Sequence, residues 1–165
     1  MPQKGFIVVT DRGGHLHDAL RLIDQMRTVP QAVVTTVGPD VDYLKHSREL
    51  PGAEIVSFPQ FFSWWGKIRF WNPLKFIYQI VLSFFSAIRL RPRVVISLGA
   101  ANVIPFCYFS KMLGARIYHV ENLAQVVSKS TTGKMLYPIC SELYVQWEEL
   151  LPLYGAKASY RGWVL

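Results

Sequence analysis

Four apolar residues, Phe6-Ile7-Val8-Val9, run into the polar stretch Thr10-Asp11-Arg12-Gly13-Gly14-His15, and an amphipathic pattern over residues 16–27 follows at once. A β-branched run, turn residues and then a 3.6-residue period predict strand, tight loop and helix. Residues 32–37 predict a second strand, stopped by Gly38-Pro39-Asp40, a turn signal that cannot continue a ladder. A short helix over 41–50 and a third strand over 53–57 come next. Farther on, the stretch from Arg93 to Leu98 predicts a strand, its near-continuous apolar run at 94–98 expected to be covered on both faces. A helix over 103–113 is closed by Gly114, and strands follow at 115–120 and 142–145, with a helical pattern at 135–139 between them. The last residues, 160–165, read as an extended tail. Strands alternating with helices at this spacing predict an α/β fold, one Rossmann-like parallel sheet with crossover helices over residues 1–165.

The middle of the chain breaks the pattern. Residues 61–71 carry Phe61, Phe62, Trp64, Trp65, Ile68, Phe70 and Trp71 with Lys67 and Arg69 interleaved. Residues 74–90 form a helix pattern, Phe84 and Phe85 included, whose only polar stripe is Lys75, Gln79, Ser83 and Ser86. A crossover helix needs one apolar face, and this one is apolar on nearly all sides, so a second face is expected to bury against something else. About 15 residues of helix reach roughly 22 Å, short of the ~30 Å hydrocarbon core, which makes a poor spanning helix. Tryptophans interleaved with cations suit an interfacial segment at 61–91, with Trp64, Trp65, Lys67, Arg69, Trp71, Lys75, Phe84 and Phe85 meeting an anionic membrane surface. Burial against a protein partner is the other reading. Nucleic acid is excluded, because these aromatics lie among Leu, Ile and Val and not in a polar groove.

Composition sharpens the picture. With 165 residues, 51% of them hydrophobic, the chain is long enough for one well-cored domain. The net charge of +7 favours an anionic partner, and no acidic residue falls between Glu54 and Glu121, while Lys67, Arg69, Lys75, Arg89, Arg91, Arg93, Lys111 and Arg116 all do. Cys107 and Cys140 stand in apolar surroundings without ligand-like neighbours, so buried free thiols are expected, and nothing calls for a metal or a cofactor. A strand and a polar loop follow directly on residues 1–4, which gives no secretory segment and places the chain in the cytosol or on the cytosolic face of a membrane.

In an open parallel sheet the loop after the first strand lies where ligands bind, with helix N-terminal N–H groups facing an anion. Gly13 and Gly14 let the backbone turn and approach a ligand, leaving His15 at the mouth of the crevice. This is neither a dinucleotide fingerprint, since the third glycine is missing, nor a P-loop, since no Gly-Lys-Ser/Thr follows. Gly99-Ala100-Ala101-Asn102 forms a second crevice loop of small residues, and Glu121 ends its strand at the same rim as His15. The hydroxyl-rich loop at 128–134 either caps the helix behind it or meets ligand directly.

Several short motifs coincide in order: Gly13-Gly14-His15, Ile96-Ser97-Leu98-Gly99-Ala100, Tyr118-His119-Val120-Glu121, Ser130-Thr131-Thr132-Gly133-Lys134, Val145-Gln146-Trp147 and Tyr160-Arg161-Gly162. Together they resemble the PssD-like subunits of bacterial exopolysaccharide glycosyltransferases, which are similar to the membrane-anchoring subunit of the eukaryotic UDP-GlcNAc transferase that makes dolichol-linked chitobiose. Asp11-Arg12 stands where a small residue usually precedes the glycine pair, Asn122 where serine usually follows the glutamate, and Gln125 where a nearby arginine is common. The resemblance implies the N-terminal half of a glycosyltransferase B fold and a separate small subunit that binds the UDP-sugar. It also implies a polyprenyl-pyrophosphate-linked acceptor at the cytoplasmic face of the inner membrane, where the protein is peripheral. One α/β domain supplies one wall of such a cleft and not both.

On this reading His15 is the general base of an inverting transfer, an imidazole being suited to that task near neutral pH, and Glu121 either orients it or is itself the base. Gly13 and Gly14 offer N–H groups to the acceptor pyrophosphate, and Gly99, Ala100, Asn102, Ser130 and Thr131 line the same crevice. Lys67, Arg69 and nearby cations address lipid phosphate. The rival from another class is a non-catalytic anchor that holds and activates a catalytic partner.

Overall fold

The computed structural model describes residues 5–46, 50–65, 68–99 and 101–163. Lys67 and Ala100 lie outside the described residues. The chain opens with β1 (Phe6–Val9), α1 (Gly14–Met26), β2 (Ala32–Thr36), α2 (Pro39–His46) and β3 (Glu54–Phe58). Gly38-Pro39-Asp40 ends β2 as expected and also starts α2. Proline fits the first helical position, where its missing N–H is no loss, and Asp40 and Asp42 complement the helix dipole.

Between β3 and the next core strand stand β4 (Phe62–Trp65), β5 (Ile68–Trp71) and α3 (Pro73–Leu90). The aromatic and basic segment thus forms an antiparallel hairpin of its own, with Phe62 opposite Trp71 and Trp64 opposite Arg69. Asn72 closes its base, donating its N–H to the Phe61 carbonyl at 3.0 Å, and caps α3 by accepting from the Lys75 N–H at 3.0 Å.

The second half runs β6 (Val94–Ser97), a 3₁₀ turn (Ala101–Val103), α4 (Ile104–Met112), β7 (Arg116–Val120), α5 (Thr131–Leu136), β8 (Glu142–Val145), α6 (Leu151–Tyr154) and β9 (Ala158–Tyr160). The expected tail therefore begins as an edge strand, β9 pairing parallel to β8. The helix expected at 135–139 starts four residues earlier because Ser130 caps it, its Oγ accepting from the Gly133 N–H at 2.8 Å.

All seven core strands pair in parallel, in the order β3-β2-β1-β6-β7-β8-β9. Strand order reverses between β1 and β6, and a crevice opens at the carboxyl ends of neighbours whose connections leave in opposite directions. One face of the sheet is covered through Leu16, Ala19, Leu22 and Ile23 of α1 with Val41 and Leu44 of α2. Ala87 and Leu90 of α3, with Phe106, Cys107, Leu136 and Tyr154, fill the core on the opposite face. Cys107 and Cys140 are free and buried, and burial pushes the Cys107 thiol up to about 12.

α3 begins one residue before the 74–90 pattern, and its 18 residues rise about 27 Å, more than the roughly 22 Å expected for it. Among the described residues it is the one helix long and apolar enough, by length and composition, to cross a membrane. Its orientation reverses the usual arrangement. Gln79, Ser83 and Ser86 are buried, whereas Leu74 is 77% and Phe85 62% exposed, with Ile77, Tyr78, Val81 and Phe84 exposed beside them. The outward residues recur at three- and four-residue intervals, so they form one continuous apolar stripe along the helix. Lys75 does not share the polar stripe's fate and stays exposed.

Candidate functional site

The loop after β1 and the loop after β6 meet at the strand reversal. His15, the second residue of α1, lays its imidazole against Gly99, where a Cβ would come within 3.0 Å of the ring. Gly99 also has φ +107°, so both its conformation and its neighbour demand glycine. Asn122, just after β7, holds the ring from the other side: its Nδ2 lies 3.3 Å from His15 Nδ1. The Asn122 amide cannot turn freely, because its Oδ1 accepts from the Ala124 N–H at 2.7 Å. A neutral His15 therefore accepts at Nδ1 and carries its proton on Nε2.

Glu121 does reach this rim, but it is 1% exposed and surrounded by donors. Oε1 accepts from the Asn122 N–H at 3.0 Å, and Oε2 from the Ser130 hydroxyl at 3.0 Å and from the Tyr154 hydroxyl. Burial and the Glu121 hydrogen bond both raise the Tyr154 pKa, so the phenol stays a donor. Gly133 touches the same cluster, where a Cβ would collide with Tyr154 and Glu121. Ser130 thus serves α5 and Glu121 together, while Thr131 and Thr132 line the groove described below.

The crevice holds a second buried carboxylate, Asp11, that sequence reasoning treated only as a departure from a motif. It is 8% exposed; Oδ1 accepts from the Thr36 hydroxyl and from the Arg12 N–H at 2.9 Å, and Oδ2 from Asn102 Nδ2 at 3.1 Å. The signal that could have found it is a charged residue two positions after an apolar strand. The expected anion cradle is altered as well: the Gly13 N–H donates to the Asp40 carboxylate at 2.5 Å. Gly14 and His15 remain, with the free N–H groups that a helix's first turn leaves.

Asp11, His15 and Asn102 line a groove of about 940 Å³. Gln125, Thr131 and Thr132 join them at its polar end, and Phe61, Phe76, Ile80, Tyr108 and Phe109 continue it as an apolar trough beside α3 and α4. The Phe61 and Phe76 rings meet at 4.9 Å between centroids. Phe109 packs edge-on against Phe84, at 5.3 Å, which joins the trough to the outward stripe of α3.

The cations divide differently from expectation. Arg89 forms a two-pronged ion pair with Glu54, at 2.9 and 2.5 Å. Arg91, Arg93 and Arg116 gather at the amino ends of β6 and β7, the opposite end of the sheet from His15. They cannot serve a phosphate in the crevice. Trp64, Trp65, Arg69 and Trp71 are placed in the hairpin by their backbone. Among the described residues no group of three or more metal-ligating side chains assembles.

Comparison with known structures gives the fold. The chain is similar to MurG of Acinetobacter baumannii, with TM-score 0.69 and 18% identity over 94% of this chain and 44% of that one. It is also similar to a glycosyltransferase of Rickettsia africae, with TM-score 0.60 and 13% identity over 95% of this chain and 42% of that one. The chain thus spans under half the length of these structures and has the architecture of one half of a glycosyltransferase B fold.

Among sequences, it is 27% identical to the UDP-N-acetylglucosamine transferase subunit ALG14 of Yarrowia lipolytica, over 94% of this chain and 79% of the relative. The rat subunit of the same name is also 27% identical, over 96% of this chain and 82% of the relative. Residues 66–164 match the family described as "Oligosaccharide biosynthesis protein Alg14 like". The match takes in α3, the crevice loop after β6 and the whole Glu121 cluster, and the chain belongs to the Alg14-like family of oligosaccharide biosynthesis proteins.

Proposed function

We propose that the chain is the acceptor-side, membrane-associated subunit of a two-component glycosyltransferase whose partner holds the UDP-sugar. The acceptor on this reading is a saccharide joined by pyrophosphate to a polyprenyl chain, at the cytoplasmic face of the membrane in polysaccharide biosynthesis. One observation carries the proposal: the groove has a polar head at the strand reversal and an apolar trough running to the outward face of α3. A lipid-linked sugar has the same division along its length. The relatives' name supplies the donor class, and a single parallel sheet offers one wall of the cleft that a second subunit completes.

α3 lies in the plane of the membrane on this reading, since the hairpin at one end and β6 at the other return to the protein. Burying Leu74, Ile77, Phe84 and Phe85 in lipid contributes about 1.5–3 kcal/mol each, with Lys75 adding ~1 kcal/mol against anionic headgroups. Within the crevice, Gly14 and the first turn of α1 face the anionic link. His15, fixed by Asn122 with its proton on Nε2, gives that link a hydrogen bond and does not abstract a proton. Glu121 is a positioning residue: it fixes the Asn122 backbone, and Asn122 fixes His15.

The test is co-expression with a candidate small partner, followed by transfer assays with UDP-N-acetylglucosamine and other UDP-sugars on a prenyl-pyrophosphoryl saccharide. Transfer by the pair and none by either chain alone is the expected result. Turnover by the partner alone at the rate of the pair would reduce this chain to an anchor. Turnover by this chain alone would overturn the two-component reading.

A further inference from the structure

We infer that Asp11 and Asn102 form a subsite for the hydroxyl groups of the acceptor saccharide, an inference that rests on the acceptor reading above. Both side chains line the polar end of the groove, and both are more than nine-tenths buried, at 8% and 2% exposure. Asp11 Oδ1 is occupied by the Thr36 hydroxyl and the Arg12 N–H. Oδ2 receives one bond among the described residues, from Asn102 Nδ2. That bond turns the Asn102 amide so that its Oδ1 has no hydrogen-bond partner among the described residues.

The pair therefore leaves two acceptor oxygens short of donors at this end of the groove; Asn102 Oδ1 is itself shut off from solvent, so a ligand hydroxyl reaches it only with a small turn of the amide. Phosphate brings only acceptors and negative charge, and Asp11 makes no ion pair with a cation among the described residues. A prenyl tail brings no donor at all. Neighbouring hydroxyls of a sugar ring bring two O–H groups, each free to rotate toward its oxygen. The crevice then divides its labour, with the α1 terminus and His15 Nε2–H facing the anionic link and the Asp11–Asn102 oxygens facing the sugar. Asn102 changes from a phosphate-lining residue to a sugar-reading one.

The test uses the full chain in detergent micelles, titrated calorimetrically with a ten-carbon prenyl pyrophosphate and with the same lipid carrying N-acetylglucosamine, glucose or galactose. At least one sugar-bearing lipid should bind the wild type about tenfold or more tightly than the bare lipid, as expected of a hydrogen bond to a charged group. Asp11→Asn should erase that ratio and leave affinity for the bare lipid in place. Deoxy-sugar lipids missing the contacted hydroxyl should lose the same increment on the wild type and nothing more on the variant. Should Asp11→Asn fail to fold, Asn102→Ala and the deoxy series on the wild type decide.

A wild type that ignores every sugar, a ratio that survives Asp11→Asn, or a gain in bare-lipid affinity in that variant would each overturn the subsite and leave the acceptor reading standing. A wild type that binds none of these lipids removes both.

Discussion

α1 and α3 are crossover helices of the same sheet with opposite designs. α1 turns Leu16, Ala19, Leu22 and Ile23 inward and leaves His17, Arg21, Asp24 and Gln25 in water, as a helix covering a sheet in a soluble protein does. α3 buries Gln79, Ser83 and Ser86 and shows Leu74, Ile77, Tyr78, Val81, Phe84 and Phe85 outward. Both sequences are strongly amphipathic, so amphipathicity alone does not say which face meets the core. The apolar stripe on α3 leaves a face that calls for cover by the proposed membrane contact, whereas α1 keeps its polar face for solvent and its N-terminus for the crevice.

If α1 serves the reaction and α3 the address, changes at the two helices should separate cleanly. His15→Ala in the reconstituted pair should lower turnover by about two orders of magnitude or more without altering vesicle flotation. Asn122→Asp sharpens the assignment, because a carboxylate there accepts from Nδ1–H and leaves Nε2 as a lone pair. Turnover should fall about tenfold or more if His15 donates, and a rise would restore the general base. Leu22→Ala, in the α1 core, should cost about 2–5 kcal/mol in chemical denaturation and leave membrane partition unchanged. The double change Phe84→Ser and Phe85→Ser should do the reverse, weakening vesicle binding by about tenfold or more with little loss of stability in detergent-free buffer. Equal effects of both changes on stability would end the contrast.

Much of this was legible beforehand, because apolar runs and glycine stops report directly on elements buried in a parallel sheet. β1, α1 and β8 fell within two residues of expectation, and His15, Asn102 and Glu121 do share one rim. What the sequence hid depends on contacts across long separations. Asp40 fills the Gly13 N–H from 27 residues away, and Asp11 is held by Thr36 and by Asn102, 91 residues on. The sequence shows Glu121 as a carboxylate at the end of a strand, but not the Tyr154 and Ser130 hydroxyls that it holds. The stripe of Gln79, Ser83 and Ser86 was visible, but its inward direction was not, since a polar stripe ordinarily faces solvent.

The smallest expected effect bears most directly on that inversion. Neither amide atom of Gln79, nor the Ser83 hydroxyl, nor that of Ser110 on the facing α4, has a hydrogen-bond partner among the described residues. Burying such groups unpaired costs about 1–3 kcal/mol each, so the inner face of α3 holds to the protein less firmly than its length suggests. Gln79→Met keeps the volume and removes the polar atoms. It should stabilise the chain by about 1 kcal/mol and raise the melting temperature by about 2–4 °C. Vesicle binding should stay as it was, because the outward stripe is untouched. A melting temperature that falls instead would mean that Gln79 is satisfied by water held between α3 and α4. The inner face would then be a hydrated seam, firmly kept, and the contrast with α1 would rest on the outward stripe alone.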